Sequence, residues 1–199
     1  MQFNKKLKIS VANNRKSKNW VTQEVLWSDL IKKLSTPART NETYEQFIRL
    51  KKAQQDELKD VGGFVGGTLK DNRRKASNVL DRCLITLDAD NINPRETKKI
   101  LNLVSGLGCN YAVYSTRKHS EATPRLRIII PLDRSVTAEE YEPIARKIAS
   151  FIGLEIMDPS TFEASRLMYW PSCSKDSNYI FQNENKPFAS ADGILGMYK

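Results

Sequence analysis

The stretch LITLDAD, Leu84 to Asp90, sets two carboxylates two residues apart directly after a run of apolar and β-branched residues. Such a run predicts a buried strand, and along a strand the side chains at i and i+2 point to the same face. Asp88 and Asp90 are therefore expected side by side where the strand emerges. Adjacent negative charges repel, so the pair requires something positive or solvating between its members.

The chain is regular on both sides of that point. VLDRCLITLD, from Val79, reads as the whole strand. NPRETKKILNLVSGLG follows, with Asn93 as a helix cap, Pro94 at the first helical position, Glu96 at the third, and Ile100, Leu103, Val104 and Leu107 on one face. NYAVYST and PRLRIIIPL are two β-branched and aromatic runs, joined by a polar loop that carries His119. TAEEYEPIARKIASFIGL has Thr137 and Glu140 at capping-box spacing, while Pro143 predicts a kink or a later start. RLMYW and NYIF read as further short strands. The order is βαββαβ, an α+β, RRM-like (ferredoxin-like) core whose helices cover one face of a sheet and leave the other free for nucleic acid.

Residues 1–78 read as an N-terminal basic mixed α/β lobe packing on this core, 79–181 as the core, and 182–199 as a C-terminal tail or the start of a linker. Within the first part, TNETYEQFIRLKKAQQDELKD predicts one long charged helix with Tyr44, Phe47, Ile48 and Leu58 on its apolar face, and the basic residues of RLKKAQQDELK read as a solvated surface. GGFVGG lacks the Gly-Lys-Ser/Thr ending of a phosphate-binding loop and reads as structural. KDNRRK, just before the aspartate strand, is the better candidate for a phosphate contact.

The 199 residues carry 32 Lys and Arg against 23 Asp and Glu, a net charge of +9, which points to polyanionic partners. No long apolar run and no signal-like segment is present, so the expectation is an intracellular, cytoplasmic protein without membrane contact. Cys83, Cys109 and Cys173 are scattered and there is one histidine, which argues against a structural zinc site.

Asp88 and Asp90, joined later by Asp158 in IMDPS, make an oxygen-rich set suited to Mg²⁺ or Mn²⁺ and able to hold two ions. Cations there would answer the repulsion within the pair. Arg125 and Arg127 share a strand face and could clamp a triphosphate, with Ser115, Thr116 or His119 adding contacts.

At these residues the chain resembles the archaeo-eukaryotic primase superfamily, the primase-polymerases of phages, plasmids and mobile elements. ITLDAD is similar to the family's apolar-Asp-x-Asp motif, STRKH to its small-residue-and-histidine motif, and MDPS to its apolar-Asp motif. SRLMYWPSCSKDSNY resembles the segment that follows, with Arg166, Pro171, Ser172 and Lys175 in matching places. The resemblance covers about residues 79–179 and implies Asp88, Asp90 and Asp158 as catalytic metal ligands, with Arg166 and Lys175 at the nucleotide. Whether His119 or Arg127 meets the triphosphate stays open. It further implies a metal-dependent primase or polymerase in which a 3′-hydroxyl attacks the α-phosphate of an NTP or dNTP on a single-stranded DNA template. Such domains are often joined to a helicase, so a fused or associated helicase is an expected partner.

The competing reading is a non-catalytic RRM-type module that binds single strands, which predicts exposed aromatics where RLRIIIPL offers aliphatics and arginines. A rolling-circle initiator would need paired histidines. A Toprim-type primase would need a glutamate that GGFVGG does not supply.

Overall fold

The structure is a computed structural model and describes residues 1–198. In chain order its elements are β1 (Lys6–Ala12), β2 (Val21–Leu26), α1 (Trp27–Leu34), β3 (Ala38–Thr40), α2 (Tyr44–Arg49), α3 (Lys52–Lys59), β4 (Gly63–Val65), β5 (Gly67–Leu69), β6 (Val79–Ala89), α4 (Thr97–Ser105), β7 (Tyr111–Ser115), β8 (Leu126–Val136), α5 (Ala138–Ile152), β9 (Met168–Tyr169), β10 (Ser172–Ser174), β11 (Phe181–Glu184) and α6 (Ala191–Gly196).

The long apolar runs form the central sheet, in the order β11-β7-β8-β6-β5. β8 lies antiparallel between β6 and β7, so β6, α4 and β7 make a split βαβ unit with β8 inserted. The last strand, β11, pairs with β7, because the other edge of β6 is taken by β5. Gly67 permits that pairing: a Cβ there would lie 1.9 Å from the Asp81 carbonyl oxygen.

Alternation along the strands sorts the core. Ile85, Leu87, Val113, Ile128 and Ile130 face α4, α5 and α6, joined by Ile100, Val104, Ile144 and Ile148. Leu84, Ala112, Tyr114 and Ile129 point the other way, and this second face is not free as expected. It is covered by Leu7 and Ile9 of β1, Trp27, Leu30 and Leu34 of α1, Phe64 and Met168. The reason is chemical: these side chains are largely apolar, and Leu84 and Ile129 each gain roughly 1.5–3 kcal/mol from full burial. The covering layer is a second sheet, β2-β1-β4-β9, while β3 and β10 form a parallel pair. Strands from both sides of residue 78 thus share all three sheets. From residue 182 on, the chain adds most of β11 and all of α6, and Ala189, Ala191 and Ile194 are buried in the core.

Several helix expectations are corrected. The long charged helix is two helices, broken at Leu50, whose extended backbone is held by the Gln55 amide donating to the carbonyls of Phe47, Ile48 and Leu50. Only Phe47 of its expected apolar face is buried in α2, and Ile48 is 48% exposed. α4 starts at Thr97, because Arg95 takes a left-handed conformation (φ +67°) and donates its N–H to the Glu121 carbonyl. α5 does begin at the Thr137–Glu140 capping box, and Pro143 is accommodated inside it. Among the described residues no helix is long and apolar enough to cross a membrane.

Candidate active site

Three neighbouring strands deliver one polar row. Asp88 on β6 is opposite Arg127 on β8, which is opposite Tyr114 on β7, and the row has the same parity as Leu84, Ile129 and Ala112. Arg127 Nε donates to Asp88 Oδ1 at 2.6 Å and its Nη1 to the Tyr169 carbonyl at 3.0 Å. The Tyr114 hydroxyl donates to that same carbonyl. At 3% and 8% exposure, Asp88 and Arg127 form a buried ion pair. Two further pairs stand nearby, Arg125 with Asp90 at 3.4 Å and Arg166 with Asp158 at 3.5 Å.

The Asp158 segment is fastened to the aspartate strand by hydrogen bonds. Asp158 N–H donates to the Asp88 carbonyl at 2.8 Å, and its carboxylate caps the turn Pro159–Phe162 by accepting from Ser160 N–H. Thr161 Oγ1 accepts from Asp88 N–H and donates to the Thr86 carbonyl. Behind them the fully buried Arg82 donates to the carbonyls of Gly66, Leu84 and Ala164 and to the Thr86 hydroxyl, with its guanidinium over the Tyr141 ring at 4.0 Å. An arginine so satisfied acts as a staple between β6 and the 158–164 segment.

The row opens into a cleft lined by six basic side chains, Lys59, Arg117, Lys118, Arg125, Arg127 and Arg166, against two acids, Asp88 and Asp90. Thr116, Tyr169 and Trp170 also line it, and Trp170 is stacked on Phe64 at 4.7 Å. Like charges crowd each other here. Burial, then the Asp88 charge, raises the Asp90 carboxyl above its ordinary range, with Asp158 adding to the rise and Arg125 and Arg127 opposing it. Burial, followed by Lys59 and Arg125, lowers the Lys118 ammonium. A cleft of this composition suits a ligand carrying several negative charges together with cations.

Residues 1–199 match the family model described as the VapE N-terminal domain. The chain belongs to this family. No curated protein matches it at a significant level. Among solved structures it is similar to the AEP domain of the cyanophage S-2L primase-polymerase (PrimPol), with a TM-score of 0.51 over 96% of this chain and 88% of that one, at 10% identity. This VapE N-terminal domain thus has the α+β fold of an archaeo-eukaryotic primase domain.

Of the residues singled out in the sequence, the fold gathers Asp88, Asp90, Thr116, Arg125, Arg127 and Arg166 around the cleft. Asp158 joins through its pair with Arg166. Three others are placed elsewhere. Ser115 is 3% exposed, and its hydroxyl accepts the Ile180 N–H, which fixes the chain entering β11. His119 Nδ1 accepts the Arg125 N–H at 3.0 Å and so positions the start of the arginine strand. Lys175 is exposed and donates its N–H to the Glu42 carbonyl. Sequence reasoning missed Lys59, which belongs to a helix read as solvated surface, and Arg117 and Lys118, which lie inside the STRKH motif itself.

The three aspartates do not form a ready-made cage: among the described residues no three His, Cys, Asp or Glu side chains are close enough to hold a metal ion. Each aspartate instead faces its own arginine. The donor set nevertheless fits a hard divalent cation, being all carboxylate oxygen, with Asp90 raised by burial and then by the neighbouring carboxylates of Asp88 and Asp158.

Proposed function

We propose that the domain is a metal-dependent nucleotidyltransferase, a primase or polymerase that makes or extends a primer on a single-stranded DNA template. The observation that carries this reading is the single row of Asp88, Arg127 and Tyr114 opening into a cleft that also holds Asp90, Arg125 and Arg166. Two aspartates at the centre of a basic cleft favour cation-assisted chemistry on an acidic ligand over binding alone. The fold likeness to the AEP domain of a cyanophage primase-polymerase supports the same reading and its phage or mobile-element setting.

Asp88 and Asp90, with Asp158, would hold two Mg²⁺ or Mn²⁺ ions, which would neutralise charge on the phosphates during transfer. Arg125 and Arg166 line the cleft half-exposed and bind the triphosphate, the first from the strand and the second from the loop after Asp158. Arg127 is held by Asp88 and the Tyr169 carbonyl, so it orients the aspartate as well as contributing charge. His119 acts through Arg125 and is a positioning residue. The substrates in this reading are an NTP or dNTP and a 3′-hydroxyl, with pyrophosphate leaving, and a helicase is a natural partner for the template.

The test is incorporation of labelled nucleotides on single-stranded DNA, with and without a primer, in Mg²⁺ and in Mn²⁺, for the native protein and for Asp88→Asn with Asp90→Asn. The expected result is product from the native protein alone, reduced at least ~10²-fold in the variant. DNA binding with no product under any condition would transfer the assignment to a single-strand-binding module.

A further inference from the structure

Past Tyr169 the cleft continues into a second groove, which shares Lys59, Arg127, Arg166 and Tyr169 with it. The additional cations come from parts of the chain outside the primase resemblance: Arg15 and Lys16 from the β1–β2 loop, Lys52 from the start of α3, and Arg74 from the KDNRRK segment before β6. One acid is present, Asp56, and it is already engaged by Lys59 at 3.1 Å and Arg15 at 3.6 Å.

Two details mark the groove as built for an anion. Arg74 and Arg166 are near enough that, after burial, the Arg166 charge is the largest influence lowering Arg74. The Nε atoms of both are buried without a hydrogen-bond partner. Donors buried and unpaired beside a like charge are costly, and a phosphate seated between the two guanidinium groups would offset that repulsion. The other cations come from separate segments and run on from this pair. That distribution suits charges repeated along a polymer better than the single cluster of a triphosphate.

We propose that this groove carries the phosphodiester backbone of a single nucleic-acid strand to the cleft, with Arg74 and Arg166 sharing a phosphate at the junction. The proposal rests on the nucleotidyltransferase reading of the adjoining cleft. Lys52 and Lys59 of the helix that reads as solvated in the sequence thus become backbone contacts, and base specificity is not expected from them.

The experiment compares native protein with Lys16→Gln/Lys52→Gln/Arg74→Gln. Binding of a labelled single-stranded oligonucleotide is followed by anisotropy across a salt series, and binding of a dNTP with Mn²⁺ is measured separately without DNA. The expected result is at least tenfold weaker oligonucleotide binding and a salt slope smaller by about 2, at roughly 0.7 per lost single-strand contact, with nucleotide binding unchanged. Unchanged oligonucleotide affinity and slope would overturn the proposal, as would loss of nucleotide binding instead, which would make the groove a seat for the triphosphate tail. Lys16 and Lys52 are exposed, so the double variant at those positions gives the same test, with a slope change of about 1.4, should loss of Arg74 from beside Trp20 impair folding. If the native protein makes no product and binds no nucleotide while the variant still loses oligonucleotide binding, the groove stands and the activity reading fails.

Discussion

On one face of the central sheet Ile85, Leu87, Ile128 and Ile130 meet α4, α5 and α6 in an apolar layer that includes the Tyr141 ring beneath the Arg82 guanidinium. On the other, Leu84, Ala112 and Ile129 meet the N-terminal strands and α1, and two residues further along β7 and β8, and four along β6, the layer becomes Tyr114, Arg127 and Asp88. Both faces are covered, so what distinguishes them is where the cover stops. The helices seal their face, whereas the N-terminal layer leaves a cleft that is lined from the far side by Lys59, Tyr169 and Trp170. A sheet can therefore host charge chemistry at the margin of its apolar core, provided each buried charge has a partner.

The sharpest way to break this comparison is Asp88→Ala. Nucleotide incorporation should fall at least ~10²-fold, and stability by about 3–5 kcal/mol, because Arg127 is left buried and unpaired. Urea unfolding of Asp88→Ala and of Asp88→Ala/Arg127→Met separates the two effects: the double variant recovers stability and remains inactive. An Asp88→Ala protein as stable as the native one would mean that Arg127 is not held as described.

Ile128→Ala, one residue along β8 and on the helix side, should cost about 2–5 kcal/mol by leaving a cavity. Its kcat/KM per folded molecule should stay close to native at a temperature where it is folded. A selective loss of catalysis would show that the two faces are coupled.

The smallest effect concerns His119, the one histidine in the chain. Burial lowers its pKa in the folded protein, and Nδ1 must stay unprotonated to accept the Arg125 N–H. The unfolded chain therefore binds the proton more readily, so stability is full above the unfolded value of about 6.5 and is lost as pH falls through it. Between pH 7 and about 5.5 the native protein should lose stability that His119→Asn retains, in parallel denaturant titrations. Identical pH profiles would remove His119 from its positioning role.

The strands β6, β7 and β8 and the start of α5 are legible in the sequence, because long apolar runs and a capping box are local signals. Asp88 and Asp90 are legible as a pair for the same reason. The cover on the second face is not: periodicity shows that Leu84 and Ile129 are buried without showing what buries them. Lys59 reached the cleft unnoticed because its helix is charged all round, and only the break at Leu50 and the placement of α3 against Tyr169 reveal its side. The motif marks His119 and Ser115 as polar groups near the site without showing that each accepts a backbone N–H, from Arg125 and Ile180.

Sharing strands between distant parts of the chain also constrains the order of folding. β4 needs Met168 and Tyr169 to complete its sheet, β3 has only β10 as a partner among the described residues, and β5 needs β6. A ribosome making the chain therefore releases about 170 residues before the N-terminal layer can be completed over the sheet it covers. Until then Trp27, Phe64 and Leu84 are exposed together, and the interval before β9 and β10 emerge is when the nascent chain is most open to aggregation.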